Sequence, residues 1–143
     1  MFIGEFTHAL DTKGRVSIPS KFREALGDQF YITKGLDNCL FVFPKNEWQL
    51  FEEKLKALPM TNKNARAFVR LFFSGASECE LDKQGRILIP QTLREHAGIE
   101  REAVIIGTGT RIEVWSQDGW NGYIDPENID YDEIAEHMAE LGI

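Results

Sequence analysis

Arg15-Val16-Ser17-Ile18 alternates polar and apolar residues, which predicts a strand with Arg15 and Ser17 on one face and Val16 and Ile18 on the other. Just ahead of it, Asp11-Thr12-Lys13-Gly14 has Asp at the first turn position and Gly at the fourth, as in a type I turn closed by a glycine at positive φ. Pro19 ends the strand, and a brief helix over 21–26 follows and stops at Gly27. Apolar runs at 31–33 and 40–43, around Gly35-Leu36-Asp37-Asn38, predict a hairpin. The apolar period then lengthens. Trp48, Phe51, Leu55 and Leu58 share one face of a helix that Pro59 terminates. Ala65, Phe68, Val69 and Phe72 mark a second helix closed by Gly75, with Lys63, Arg66 and Arg70 on its other face.

After these helices the first pattern starts again. Leu10-Asp11-Thr12-Lys13-Gly14-Arg15-Val16-Ser17-Ile18-Pro19 is matched by Leu81-Asp82-Lys83-Gln84-Gly85-Arg86-Ile87-Leu88-Ile89-Pro90, 71 residues on. Aligned from Leu10 to Gly27 and from Leu81 to Gly98, nine of 18 positions are identical, Arg23-Glu24 and Arg94-Glu95 among them. After one inserted residue near Arg101, Gly35 aligns with Gly107, Val42 with Val114, Phe43 with Trp115 and Trp48 with Trp120. A repeat of this kind implies two similar half-units around a pseudo-two-fold axis. The second half is expected to carry a helix at 93–97 stopped by Gly98, then a hairpin from 104–106 to 112–115 turning at Gly107-Thr108-Gly109-Thr110. Ile134, Ala135, Met138 and Leu141 mark a short amphipathic helix near the C-terminus. The expectation is one β-rich α+β domain over 1–143. It comprises a first half (5–48), a helical spacer (49–75), a second half (76–120) and an acidic C-terminal segment (121–143).

Composition alters this picture mainly through charge. At 43% hydrophobic and 27% charged residues the chain is ordinary for a folded domain. Its net charge of −7 argues against nucleic acid only until its distribution is considered. Residues 113–143 hold nine acids and no Lys or Arg, so residues 1–112 carry 16 bases against 14 acids. The repeats are mildly basic and the tail is acidic. The N-terminus lacks the features of a signal peptide, and no apolar run nears the ~18 residues of a membrane span. A cytoplasmic protein without membrane association is expected. Cys39 and Cys79 stand in no metal-ligand spacing and read as small buried thiols. His8, His96 and His137 are scattered, so neither a metal nor another cofactor is implied.

One chemical constellation recurs: Asp-x-x-x-Arg, as Asp11 with Arg15 and Asp82 with Arg86. The turn sets each Arg at the mouth of a hairpin beside its own Asp. One reading is a turn staple, with Asp capping turn amides and Arg balancing it. The other is a pair of guanidiniums on rigid turns, suited to bidentate contacts with guanine O6 and N7 or with phosphates.

Further residues carry a resemblance. The opening Met-Phe-x-Gly-Glu-Phe, the twin Asp-x-x-x-Arg motifs, the Pro-x-x-x-Arg-Glu after each, and Arg66-Ala67-Phe68 through Phe72-Phe73-Ser74-Gly75-Ala76 resemble the MraZ family. Those proteins are bacterial transcriptional regulators related to the AbrB and MazE DNA-binding folds. The resemblance spans roughly residues 1–140. It implies a double-split β-barrel in which the halves of one chain mimic an AbrB-type dimer. It also implies a ring-shaped homo-oligomer, nucleoid-associated, binding double-stranded DNA at tandem short G-rich repeats in the promoter of its own division and cell-wall gene cluster, in the role of a repressor. The DNA-contacting motif falls on Asp11, Lys13, Gly14 and Arg15, and on Asp82, Gly85 and Arg86. Lys13 is replaced by Gln84 in the second copy, so the halves are expected to grip DNA unequally.

Rival readings use the same repeat. Asp11 and Asp82 as a proton-sharing protease pair would need a carboxylate free of its Arg and a turn one residue shorter. Gly107-Thr108-Gly109 as a phosphate loop would need a helix to begin after it. No Ser, Lys or Cys stands in a nucleophile context, so no catalytic residue is expected. The alternative kept is a non-enzymatic β-barrel adaptor or assembly scaffold, its acidic tail docking a basic partner.

Overall fold

The computed structural model describes all 143 residues. In chain order the elements are β1 (Phe2–Ala9), β2 (Arg15–Ser17), α1 (Ser20–Leu26), β3 (Phe30–Lys34), β4 (Leu40–Pro44), α2 (Lys45–Lys56) and α3 (Lys63–Gly75). They continue with β5 (Ser77–Cys79), β6 (Arg86–Leu88), α4 (Gln91–Ala97), β7 (Glu102–Gly109), β8 (Ile112–Ser116), α5 (Gln117–Ile124) and α6 (Tyr131–Ala139). The result is an α+β protein with two antiparallel sheets, one of six strands in the order β1-β7-β8-β4-β3-β5 and one of two, β2-β6.

That strand order turns the sequence repeat into a spatial one. β1 corresponds to β5, β3 to β7 and β4 to β8, so the six-stranded sheet reads the same from either end. Each half's first strand pairs with the third strand of the other half: β1 with β7, and β5 with β3. The axis passes between Phe41 and Glu113, which face each other in the β4–β8 register, and between Val16 and Ile87 in the β2–β6 register. Neither half can complete its sheet alone.

The central strands lack alternation because both their faces are covered. Leu40 and Val42 join a cluster with Val16, Ile18, Phe22, Ile87, Ile89 and Leu93, beneath the two-stranded ribbon and helices α1 and α4. Phe41 and Phe43 point the other way, into an aromatic cluster with Trp48, Leu55, Phe72 and Trp115. Spacer helices α2 and α3 supply that second cover, and Thr33, fully buried there, donates its hydroxyl to the Phe72 carbonyl oxygen at 2.7 Å.

Several details differ from the pattern-based expectation. Gly107-Thr108-Gly109 is strand, not turn; β7 runs to Gly109, and only Thr110 and Arg111 form the connection. The β1 backbone passes so close that a Cβ on Gly107 would lie 2.3 Å from the Phe2 carbonyl carbon, so this glycine serves a close approach of two strands. On α3 only Phe72 is buried, whereas Phe68 is substantially exposed. α2 ends at Lys56, before Pro59, and Leu141 lies beyond the end of α6. α5 has no counterpart in the apolar pattern. Two glycines weaken it intrinsically, but Ser116 caps it by accepting from the Gly119 amide at 2.9 Å, and Trp120 and Tyr123 pack on Trp115. No helix is long and apolar enough to cross a membrane.

Candidate nucleic-acid interface

The two Asp-x-x-x-Arg turns are built alike, from the backbone outward. Gly14 donates its amide to the Asp11 carbonyl oxygen at 3.1 Å, and Gly85 donates to that of Asp82 at 3.0 Å. Gly14 takes φ +87° and Gly85 φ +75°, the left-handed region that makes glycine the fitting residue at these corners. Within each turn one carboxylate oxygen gathers two amides. Asp11 Oδ1 accepts from Lys13 and Arg15, and Asp82 Oδ1 accepts from Gln84 and Arg86, all at 2.9–3.0 Å.

The second oxygen is left for the guanidinium. Arg15 Nε lies 2.6 Å from Asp11 Oδ2, and Arg86 Nε lies 2.9 Å from Asp82 Oδ2. Arg86 also reaches across the axis, placing Nη1 at 3.6 Å from Asp11 Oδ2. The hydrogen bond from the Arg15 amide is the chief reason the Asp11 carboxyl is held down at about 2, with its side-chain partner adding to it. The Arg86 amide holds Asp82 below the usual carboxylate range in the same way. Both carboxylates therefore stay charged, and their short hydrogen bonds all lie within their own turn. Each guanidinium is tethered at Nε, with about a quarter to a third of its side chain open to solvent.

The ribbon between the turns sets which way these groups face. Arg15 stands opposite Leu88 and Ser17 opposite Arg86, so these four side chains share the outer face while Val16 and Ile87 are buried beneath. Ile18 donates its amide to the Gly85 carbonyl oxygen and Ile89 to that of Gly14, each at 2.9 Å, stitching each turn to the opposite half.

Two arginines outside the expected motif lie against the turns. A Cβ on Gly14 would lie 2.7 Å from the guanidinium carbon of Arg94, and one on Gly85 would lie 2.3 Å from that of Arg23. Each half therefore lays an arginine from its own short helix over the other half's turn. Arg23 Nε is anchored on the Ile18 carbonyl oxygen at 2.8 Å, whereas the buried Arg94 Nε has no partner. The repeated Pro-x-x-x-Arg spacing was the signal for this pair; the cross-axis placement was not visible in it. The tips add one exposed lysine each, Lys13 in the first turn and Lys83 in the second, displaced by one position. Six cations thus lie on or against the two turns, of which Arg15 and Arg86 pair with the carboxylates.

Cys39 is fully buried, and burial pushes its thiol far above the ordinary range; Cys79, partly buried, is pushed to about 11. Neither thiol is poised to react.

Comparison with known proteins agrees with the duplication. The family described as "MraZ protein, putative antitoxin-like" matches twice, over residues 1–71 and 72–141. The chain is similar to a protein of Alkaliphilus oremlandii, 68% identical over 143 residues and the full length of both chains, which bears the name transcriptional regulator MraZ. Proteins of the same name from Alkaliphilus metalliredigens and Clostridium tetani are 64% and 62% identical, again over the whole of each chain.

Proposed function

The chain belongs to the MraZ family of transcriptional regulators, and from that premise we propose that it binds double-stranded DNA at tandem short G-rich repeats in the promoter of its own division and cell-wall gene cluster, as a repressor at the nucleoid. The chain is a regulator and not an enzyme. Its reading heads are Arg15 and Arg86, held by Asp11 and Asp82 on corners made by Gly14 and Gly85, with Lys13 taking phosphate. One observation carries this reading: each Asp is hydrogen-bonded by the amides and arginine of its own turn, Asp11 also meeting Arg86 across the axis, while the two guanidiniums share one outward face. A plain turn staple would not need two arginines brought to one ribbon. Tethering at Nε directs the terminal nitrogens of Arg15 outward for guanine O6 and N7, and Arg86 offers the same edge apart from the long 3.6 Å contact of Nη1 with Asp11. A two-stranded ribbon is of a size the major groove admits. The ribbon and the six-stranded sheet, sharing one core, correspond in this reading to a double-split β-barrel.

Few cations per chain make a single copy a weak, salt-sensitive binder. We place the rest of the affinity in a ring-shaped homo-oligomer engaging several repeats at once. Two uncovered surfaces suit that assembly. A groove of about 450 Å³ between α2 and α3 is lined by Leu58, Met60, Val69 and Phe73 together with Arg66 and Arg70. Helix α6 exposes Ile134 and Met138 among Asp132, Glu133 and Glu136. An apolar groove with basic walls fits an acidic amphipathic helix from a second copy. The test is anisotropy titration on promoter duplexes carrying one or several repeats, at two salt concentrations. The reading expects roughly 10²–10⁴-fold tighter binding to the longer duplex and steep salt dependence. Equal affinity for both duplexes would overturn the multivalent mechanism, and no binding to either would overturn the DNA assignment.

A further inference from the structure

The two halves present different side chains at one position of the outer ribbon face. Where the first half has Ser17, the second has Leu88, and Leu88 is 56% exposed. It belongs to neither core cluster. It stands directly across from Arg15 and two residues along its own strand from Arg86. A largely exposed apolar side chain therefore stands beside both arginines, at one corner of the outer face, with Ser17 at the opposite corner.

We propose that Leu88 is an apolar base-reading contact, packing on the C5 methyl of a thymine next to the guanines engaged by Arg15 and Arg86, and that this contact gives each chain a fixed direction on the DNA. The inference rests on the DNA reading above and specifies that same face. The thymine methyl is the apolar feature that the major groove offers beside guanine acceptors. The spacings agree. Residues two apart on a strand are separated by about 6.8 Å, and directly opposed residues by about 5 Å. Base steps are about 3.4 Å, so the thymine lies one or two steps from a contacted guanine. Ser17, at the matching point across the axis, offers a hydroxyl that pairs with either kind of base edge and gains nothing from a methyl. The turn tips break the symmetry in the same sense, with Thr12-Lys13 on one side and Lys83-Gln84 on the other. A pseudo-symmetric reader decorated in this way recognises a site that has a polarity, and tandem copies of that site would run in one direction.

The experiment separates this inference from the broader one. Wild-type protein first selects duplexes from a random-sequence library, and the recovered sequence is synthesised with thymine or with deoxyuridine, which pairs identically but lacks the methyl. Wild type is expected to bind the deoxyuridine duplex about fourfold more weakly per repeat. Leu88→Ser, which copies the first half at an exposed position, is expected to bind both duplexes equally, at the level wild type shows on deoxyuridine. Equal binding of the two duplexes by wild type would overturn the proposal, as would a thymine preference that survives in Leu88→Ser. Recovery of no sequence at all would instead overturn the DNA reading, and this inference with it.

Discussion

Val16, Ile18, Phe22 and Leu26 in the first half, and Ile87, Ile89, Leu93 and Ala97 in the second, are all buried in one cluster around the axis. The positions between them on the outer face differ: Ser17 against Leu88, Thr12-Lys13 against Lys83-Gln84. At the axis itself Phe41 faces Glu113, whose carboxylate accepts from Trp115 Nε1 at 3.1 Å and pairs with Arg111 at 2.8 Å, while the Arg111 guanidinium lies 4.0 Å over the Phe41 ring. Shared packing and different decoration have one physical origin. A residue buried against the other half is held to apolar character, though not to one size (Phe22 matches Leu93, Leu26 matches Ala97). The buried Glu113 opposite Phe41 is the exception, which Trp115 and Arg111 satisfy. An exposed residue answers only to what docks on it.

Core truncation should break both halves equally. Phe22→Ala is expected to lower stability by about 3–5 kcal/mol and Leu93→Ala by about 2–5 kcal/mol in urea unfolding, each as a single transition. Two transitions in either variant would show that the halves fold separately. A milder contrast comes from the matched glycines. A methyl on Gly107 meets the β1 backbone, whereas one on Gly35 meets the Phe41 ring and the Cys39 sulfur. Gly107→Ala should therefore cost about 1–3 kcal/mol and Gly35→Ala less, because side chains yield more readily than a paired strand. For assembly, Arg66→Glu with Arg70→Glu is expected to lower the mass seen by light scattering while leaving the circular dichroism spectrum unchanged. An unaltered mass would clear the groove between α2 and α3 of that role.

The smallest effect concerns the turns. Followed by carbon-detected NMR, the Asp11 carboxyl should titrate near 2, below the ordinary value of 3.8. Its hydrogen bonds then stabilise the turn fully above the ordinary range, and that contribution disappears as pH falls from about 3.8 through about 2. Because the Arg15 amide is the leading cause, Arg15→Ala should leave the midpoint depressed; a return to 3.8 would place the cause in the guanidinium instead.

The repeat made the symmetric architecture legible, since Asp11-Thr12-Lys13-Gly14 and Asp82-Lys83-Gln84-Gly85 announce the same turn twice. The alternation at Arg15-Val16-Ser17-Ile18 assigned each residue to its face, and Val16 and Ile18 are fully buried. What could not be read was anything decided by a distant segment. Gly107 looks like a turn glycine until β1 is laid against it. α5 contradicts its glycines because aromatic packing on Trp115 outweighs propensity. Arg23 and Arg94 were visible as repeated residues, but their crossing over Gly85 and Gly14 follows from the intertwining of the halves, which local pattern does not encode.

The central claim is that both turns read DNA, each through its own arginine. Its most direct test is anisotropy titration of the multi-repeat promoter duplex with Arg15→Ala and Arg86→Ala as separate variants, light scattering confirming that each still assembles. Loss of a bidentate contact is worth about 1–3 kcal/mol per repeat, so either substitution alone should abolish occupancy at concentrations where wild type is saturated. An intact variant of either kind binding as tightly as wild type would contradict the account and leave that Asp–Arg pair as a turn staple.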